Sequence, residues 1–116
     1  MFERAKRGTR AILLHPLFAD TGPEQLDEFE ELCRSAGVDI AAILTAPRGR
    51  PDPRFFVGSG KIDEVADQVA ATAADLIVVS RPLSAIQERN IEKRCNCRVL
   101  DRTTLILDIF AQRARS

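Results

Sequence analysis

The sequence predicts an α/β domain: a mostly parallel sheet of four to five strands with helices on both faces, in a single domain. Three observations carry that expectation. Short, mainly apolar strand-like runs recur at residues 11–14, 40–45, 76–79 and 98–100, and stretches with helical periodicity separate them. The runs are apolar at successive positions instead of alternating, as strands covered on both faces are. The chain has 116 residues, the length of one domain.

The elements follow in order. Ala11-Ile12-Leu13-Leu14 reads as a buried strand ended by His15-Pro16. Thr21-Gly22-Pro23 starts a helix, with Pro near the first helical position and acids in the first turn. Leu26, Phe29, Leu32, Cys33 and Ala36 share its apolar face, and Gly37 stops it. Residues 40–45 form a second buried strand. Three Pro and one Gly in residues 47–54 make a loop. Phe55-Phe56-Val57 reads as a short extended piece with one Phe buried and one half-buried. Gly58-Ser59-Gly60 then turns into a helix carrying Ile62, Val65, Ala66, Val69 and Ala73 on one face. Leu76-Ile77-Val78-Val79 is the clearest strand. Ser84 with Gln87 three residues later is a capping box for the next helix, on which Ile86, Asn90 and Ile91 face together. Arg98-Val99-Leu100 is the last strand. A final helix begins near Thr103, with Asp101 or Thr103 as its cap.

Composition excludes several classes. With 45% hydrophobic and 29% charged residues the chain is neither disordered nor fibrous. No apolar run approaches the ~20 residues that span a bilayer. The charged N-terminus and short first apolar run do not make a signal peptide. Three Cys at irregular spacing predict free thiols in a reducing, cytoplasmic compartment.

Seventeen cations balance 17 anions, but the zero net charge is a sum of unlike blocks. Residues 1–10, 48–61 and 81–102 are basic; residues 20–39 and 63–75 are acidic. Arg far outnumbers Lys, which suits bidentate phosphate contact, although a GC-rich genome would produce the same bias. The loop at 48–54 beside Phe55 and Phe56 has the ingredients of RNA contact, cations for phosphates and rings for bases. The alternative is a solvated loop followed by a core strand.

Other constellations are weaker. Gly58-Ser59-Gly60-Lys61 resembles the end of a phosphate-binding loop, but Phe55 and Ile62 stand where that motif needs Gly and Ser or Thr. What survives is a candidate anion or nucleotide site at a helix N-terminus, or simply a tight turn. His15 lies at a strand end with no nucleophile or metal cluster for company. Cys95-Asn96-Cys97 has the wrong spacing for a zinc pair. Acids at strand ends are too few for a receiver-type pocket. No catalytic residue, metal site or cofactor is expected in the chain itself.

Three stretches carry a family resemblance: residues 55–61 (FFVGSGK), 83–92 (LSAIQERNIE) and 97–115 (CRVLDRTTLILDIFAQRAR). Together with Met1-Phe2-Glu3-Arg4 and the segment from Phe29-Glu30 to Ser35-Ala36-Gly37-Val38, they resemble the N-terminal domain of the HflX family of ribosome-associated bacterial GTPases. Ala85 departs from the family's usual Pro, a change that a helix start tolerates. The resemblance implies that residues 1–116 are an HflX-type N-terminal domain, with the helical linker and GTPase domain of the parent protein absent. For the parent it implies GTP hydrolysis with Mg²⁺, binding to the large ribosomal subunit and its rRNA, and ribosome splitting as a stress response.

The expected role of this domain is therefore ribosome and rRNA docking and regulation of the GTPase domain. The RNA-binding candidates are Arg48, Arg50, Arg54, Lys61, Arg89, Lys93 and Arg98. The alternative is an independent ATP- or GTP-binding module at Gly58, Ser59, Gly60 and Lys61. A third expectation is a homodimer of the isolated domain through an exposed apolar face.

Overall fold

A computed structural model describes residues 9–17, 22–46 and 51–113. Four strands form one all-parallel sheet in the order β2-β1-β3-β4, where β1 is Thr9–Pro16, β2 is Val38–Ala46, β3 is Leu76–Val79 and β4 is Arg98–Asp101. Four helices connect and follow them: α1 Pro23–Ser35, α2 Ser59–Thr72, α3 Ala85–Cys95 and α4 Arg102–Arg113. The chain reverses direction across the sheet between β1 and β3. The covering face switches with it, as right-handed crossovers require.

Two apolar layers result. Ala11, Leu13, Leu76, Val78 and Leu100 meet Phe29 and Cys33 of α1 and Leu105 and Ile109 of α4. Ile12, Leu14, Ile77, Val79 and Val99 meet Ile62 and Val65 of α2 and Ile91 and Cys95 of α3. Alternate residues of β1 and β3 feed opposite layers, and every residue of β3 is buried, which explains their unbroken apolar runs.

β2 departs from the expectation of a fully buried strand. It lies at the sheet edge, and Ile43 stays 36% exposed. A bulge explains its pattern. Ala11 pairs with Ile40 and Ile12 with Ala42, so Ala41 has no β1 partner. Val38 and Ile40 face the α1/α4 layer before the bulge; Ala42, Leu44 and Ala46 face the α2/α3 layer after it.

Three further expectations need correction. Phe55-Phe56-Val57 is not an extended piece; an antiparallel bridge joins Asp52 and Phe56 around a tight turn. Both Phe side chains are half-buried. Ile86 does not face with Ile91: it is 65% exposed while Ile91 is fully buried. Five residues apart, the two lie about 140° apart around the helix, so Ile86 falls on the solvent side when Ile91 faces the core. Ala73 is not part of the α2 apolar face, because it is the exposed left-handed C-cap of that helix, with φ 55°.

Helix ends follow local chemistry. Pro23 opens α1, and Gly37, with φ 81°, lets the chain turn directly into β2. Ser84 Oγ accepts the Gln87 amide at 3.1 Å, and Gln87 Oε1 accepts the Ser84 amide at 2.9 Å. Asp101 caps α4 by accepting the Thr104 amide at 2.8 Å.

Candidate nucleic-acid interface

The loop before α2 is fixed by its own backbone and by α3. Asp52 and Phe56 exchange backbone hydrogen bonds of 2.9 and 2.8 Å. Asp52 Oδ1 accepts the amides of Arg54 and Phe55 at 2.7 and 3.2 Å, closing an Asx turn. Two side-chain amides of α3 then reach across. Gln87 Nε2 donates to the Asp52 carbonyl at 2.7 Å, and Asn90 Nδ2 donates to the Arg54 carbonyl at 3.1 Å. Gln87 thus caps its own helix with its oxygen and holds the loop with its nitrogen. Phe56 has φ 70°, a costly conformation for an aromatic residue, which this bonding sustains.

The turn presents charge beside an aromatic ring. The Arg54 guanidinium lies over Phe55, 5.8 Å from the ring centroid, and Arg54 is exposed. Arg89 and Lys93 are exposed on α3 and, four residues apart, share a stripe next to Asn90. An acidic stripe flanks it. Burial and then the charges of Glu92 and Asp101 push the Glu88 carboxyl above its ordinary pKa.

The remaining candidate cations are placed differently. Lys61 is ion-paired with Glu64, and its side chain is 20% exposed. Arg98 opens β4 at the amino edge of the sheet, half-buried, away from the Arg54 turn. Arg48 and Arg50 lie outside the described residues. Gly58 caps α2 without a side-chain hydrogen bond. A Cβ at Gly58 or Gly60 would meet nothing within 4 Å, so no close approach of backbone demands glycine there.

The carboxyl ends of β1 and β3 flank the point where strand order reverses, the customary ligand crevice of open α/β sheets. Here it holds a packed polar pair. His15 Nδ1 lies 2.7 Å from Ser80 Oγ, and the His15 ring stacks on Phe29 with centroids 6.1 Å apart. Burial, then the Arg81 guanidinium, lowers the His15 pKa, so the ring is neutral at physiological pH. Burial also pushes the three thiols up, Cys33 to about 12 and Cys95 and Cys97 to about 11, which disfavours the reactive thiolate. Among the described residues no group of three His, Cys, Asp or Glu is placed to hold a metal. Nor is any described helix long and apolar enough to cross a membrane.

The roles of Asp52, Gln87 and Asn90 escape a reading by motif. Asp52-Pro53 is a recognisable turn starter, but nothing local announces a bond from Gln87 or Asn90 across some 35 residues.

The geometry thus defines a parallel α/β domain that carries a basic turn braced by α3. The family described as GTP-binding GTPase N-terminal matches residues 23–111, and the chain belongs to it. GTPase HflX of Escherichia coli strain K12 is 50% identical over the whole chain, which covers 28% of that protein. GTPase HflX of Caldanaerobacter subterraneus is 38% identical, again over the whole chain and 27% of the relative. The chain thus spans a little over a quarter of the length of these relatives. A crystal structure of SsGBP in complex with GDP superposes with a TM-score of 0.74 at 22% identity, covering 93% of this chain and 30% of that one. A GTP-binding protein of the archaeon Sulfolobus solfataricus, also with GDP, gives 0.66 at 21% identity, covering 89% and 30%. These two likenesses concern the fold alone.

Proposed function

We propose that the chain is the ribosome-docking and regulatory domain of an HflX-type GTPase, a binding element with no chemistry of its own. In the parent protein a GTPase domain would hydrolyse GTP with Mg²⁺. This domain would anchor it to the rRNA of the large subunit during cytoplasmic ribosome splitting under stress. The observation that carries the reading is the exposed Arg89/Lys93 stripe beside the braced Arg54 turn, on a chain of the GTPase N-terminal family. Such a stripe grips phosphates without reading sequence.

Titration of large ribosomal subunits with the chain over a range of salt tests the reading. Binding should weaken steeply as salt rises. Replacing Arg89 and Lys93 with Gln should lower the logarithmic salt slope by about 2, roughly 1 per lost phosphate contact. Absence of binding at low salt would overturn it. The alternative, a nucleotide site at Gly58, Ser59, Gly60 and Lys61, has the uncapped N-terminus of α2 in its favour; against it stands the pairing of Lys61 with Glu64.

A further inference from the structure

We infer that the 52–56 turn is a recognition element for an unpaired RNA base, with Arg54 as the stacking group and Asn90 and Gln87 as its positioning residues. The inference rests on the docking reading and adds the kind of RNA that this surface takes.

Phosphate gripping alone needs only mobile exposed cations. This turn is built otherwise. Six hydrogen bonds hold its five residues, two of them from side-chain amides of a different element. The bonding keeps Phe56 at φ 70°, and such strain in an otherwise ordinary loop marks a conformation that matters. What the turn holds up is a planar cation on an aromatic ring. Phe55 is half-buried against the α2/α3 layer, so the ring supports the guanidinium from below, while Arg54 stays exposed above. A base can stack on this exposed guanidinium plane, a known mode of single-strand recognition. Arg89 and Lys93, exposed on α3 beside Asn90, would receive the flanking phosphates. A base inside a continuous duplex has both faces occupied by its neighbours. The turn therefore selects single strands, bulges or loop nucleotides. Its rigidity reduces the ordering cost of binding.

Fluorescence anisotropy would compare three RNAs of one length: an oligouridine strand, the same strand with abasic sites, and a fully paired duplex. The unaltered protein should bind oligouridine at least about five-fold more tightly than the abasic strand, the low end for one stacked base. Arg54→Lys keeps the charge and removes the plane; Asn90→Ala keeps all charges and releases the turn. Each should abolish the oligouridine advantage and leave the salt slope unchanged. Equal affinity of the unaltered protein for oligouridine and abasic strands overturns the inference and leaves phosphate docking standing. Retention of the full advantage by both variants also overturns it. Failure to bind any of the three at low salt overturns the inference and the docking reading together. Arg54 is exposed, so its replacement does not disturb folding.

Discussion

His15 Nδ1 and Ser80 Oγ meet at 2.7 Å across the carboxyl edge of β1 and β3, in the place where related architectures open a ligand crevice. Both residues are almost fully buried, at 3% and 4% exposure. The pair tightens the sheet at the strands between which the chain reverses direction.

The first prediction concerns pH. The His15 pKa lies below its ordinary value of 6.5 in the folded protein and returns to it on unfolding. Between those values the unfolded chain binds the extra proton. Stability from this group is therefore whole above about pH 6.5 and falls as the pH drops toward the folded pKa. Urea melts at neutral and mildly acidic pH should show the loss, and His15→Leu should show less of it. Parallel losses in the two proteins would refute the assignment.

Glu88 has the opposite sign. Its folded pKa is raised, so its contribution is present below the ordinary value of 4.5 and is lost as the pH climbs through the folded one. At neutral pH Glu88→Gln should raise the urea midpoint, because it removes a partly desolvated charge facing Glu92 and Asp101. A lower midpoint would contradict this.

Two helix ends make a matched pair of substitutions. Ser84→Ala removes one half of the capping box and should cost about 1 kcal/mol by chemical denaturation. Ala73→Gly should stabilise by about 0.5–1 kcal/mol. Ala73 sits exposed in the left-handed region, where a Cβ is penalised and Gly is not.

Thiol labelling gives a fourth check. With Cys33 held up to about 12 and Cys95 and Cys97 up to about 11, alkylation of the native protein at mildly alkaline pH should run at least about ten-fold slower than in denaturant. Fast labelling of one native cysteine would show that its thiol is open to solvent.

A fifth follows from the docking reading. Millimolar ATP or GTP should leave the thermal midpoint of this chain unmoved, since saturating binding to the native state would raise it. A clear upward shift would favour the nucleotide reading at Gly58, Ser59, Gly60 and Lys61.

Much of the fold was legible because its signals are local. The unbroken apolar residues 76–79 need burial on both faces, and Ser84 with Gln87 spells a capping box whatever surrounds it. The errors lie where a distant partner decides. Residues 40–45 look like a buried strand, but their place at the edge depends on which neighbour β1 takes next. Phe55-Phe56 looks extended because aromatic pairs favour strands. The bonds of Asp52 to Arg54, Phe55 and Phe56 override that preference. For the candidate interface, composition marked basic segments and ranked Arg54, Lys61 and Arg98 alike. Only tertiary placement separates the braced Arg54 from the ion-paired Lys61 and the Arg98 of the far edge.

The unpaired Ala41 in β2 sets a constraint on how this strand can be misused. Its two halves are out of phase, so no single unbroken register pairs both halves correctly with β1. Assemblies that stack identical, evenly alternating ribbons cannot recruit the strand whole. The single extra alanine breaks the even alternation that pairing between identical edges exploits.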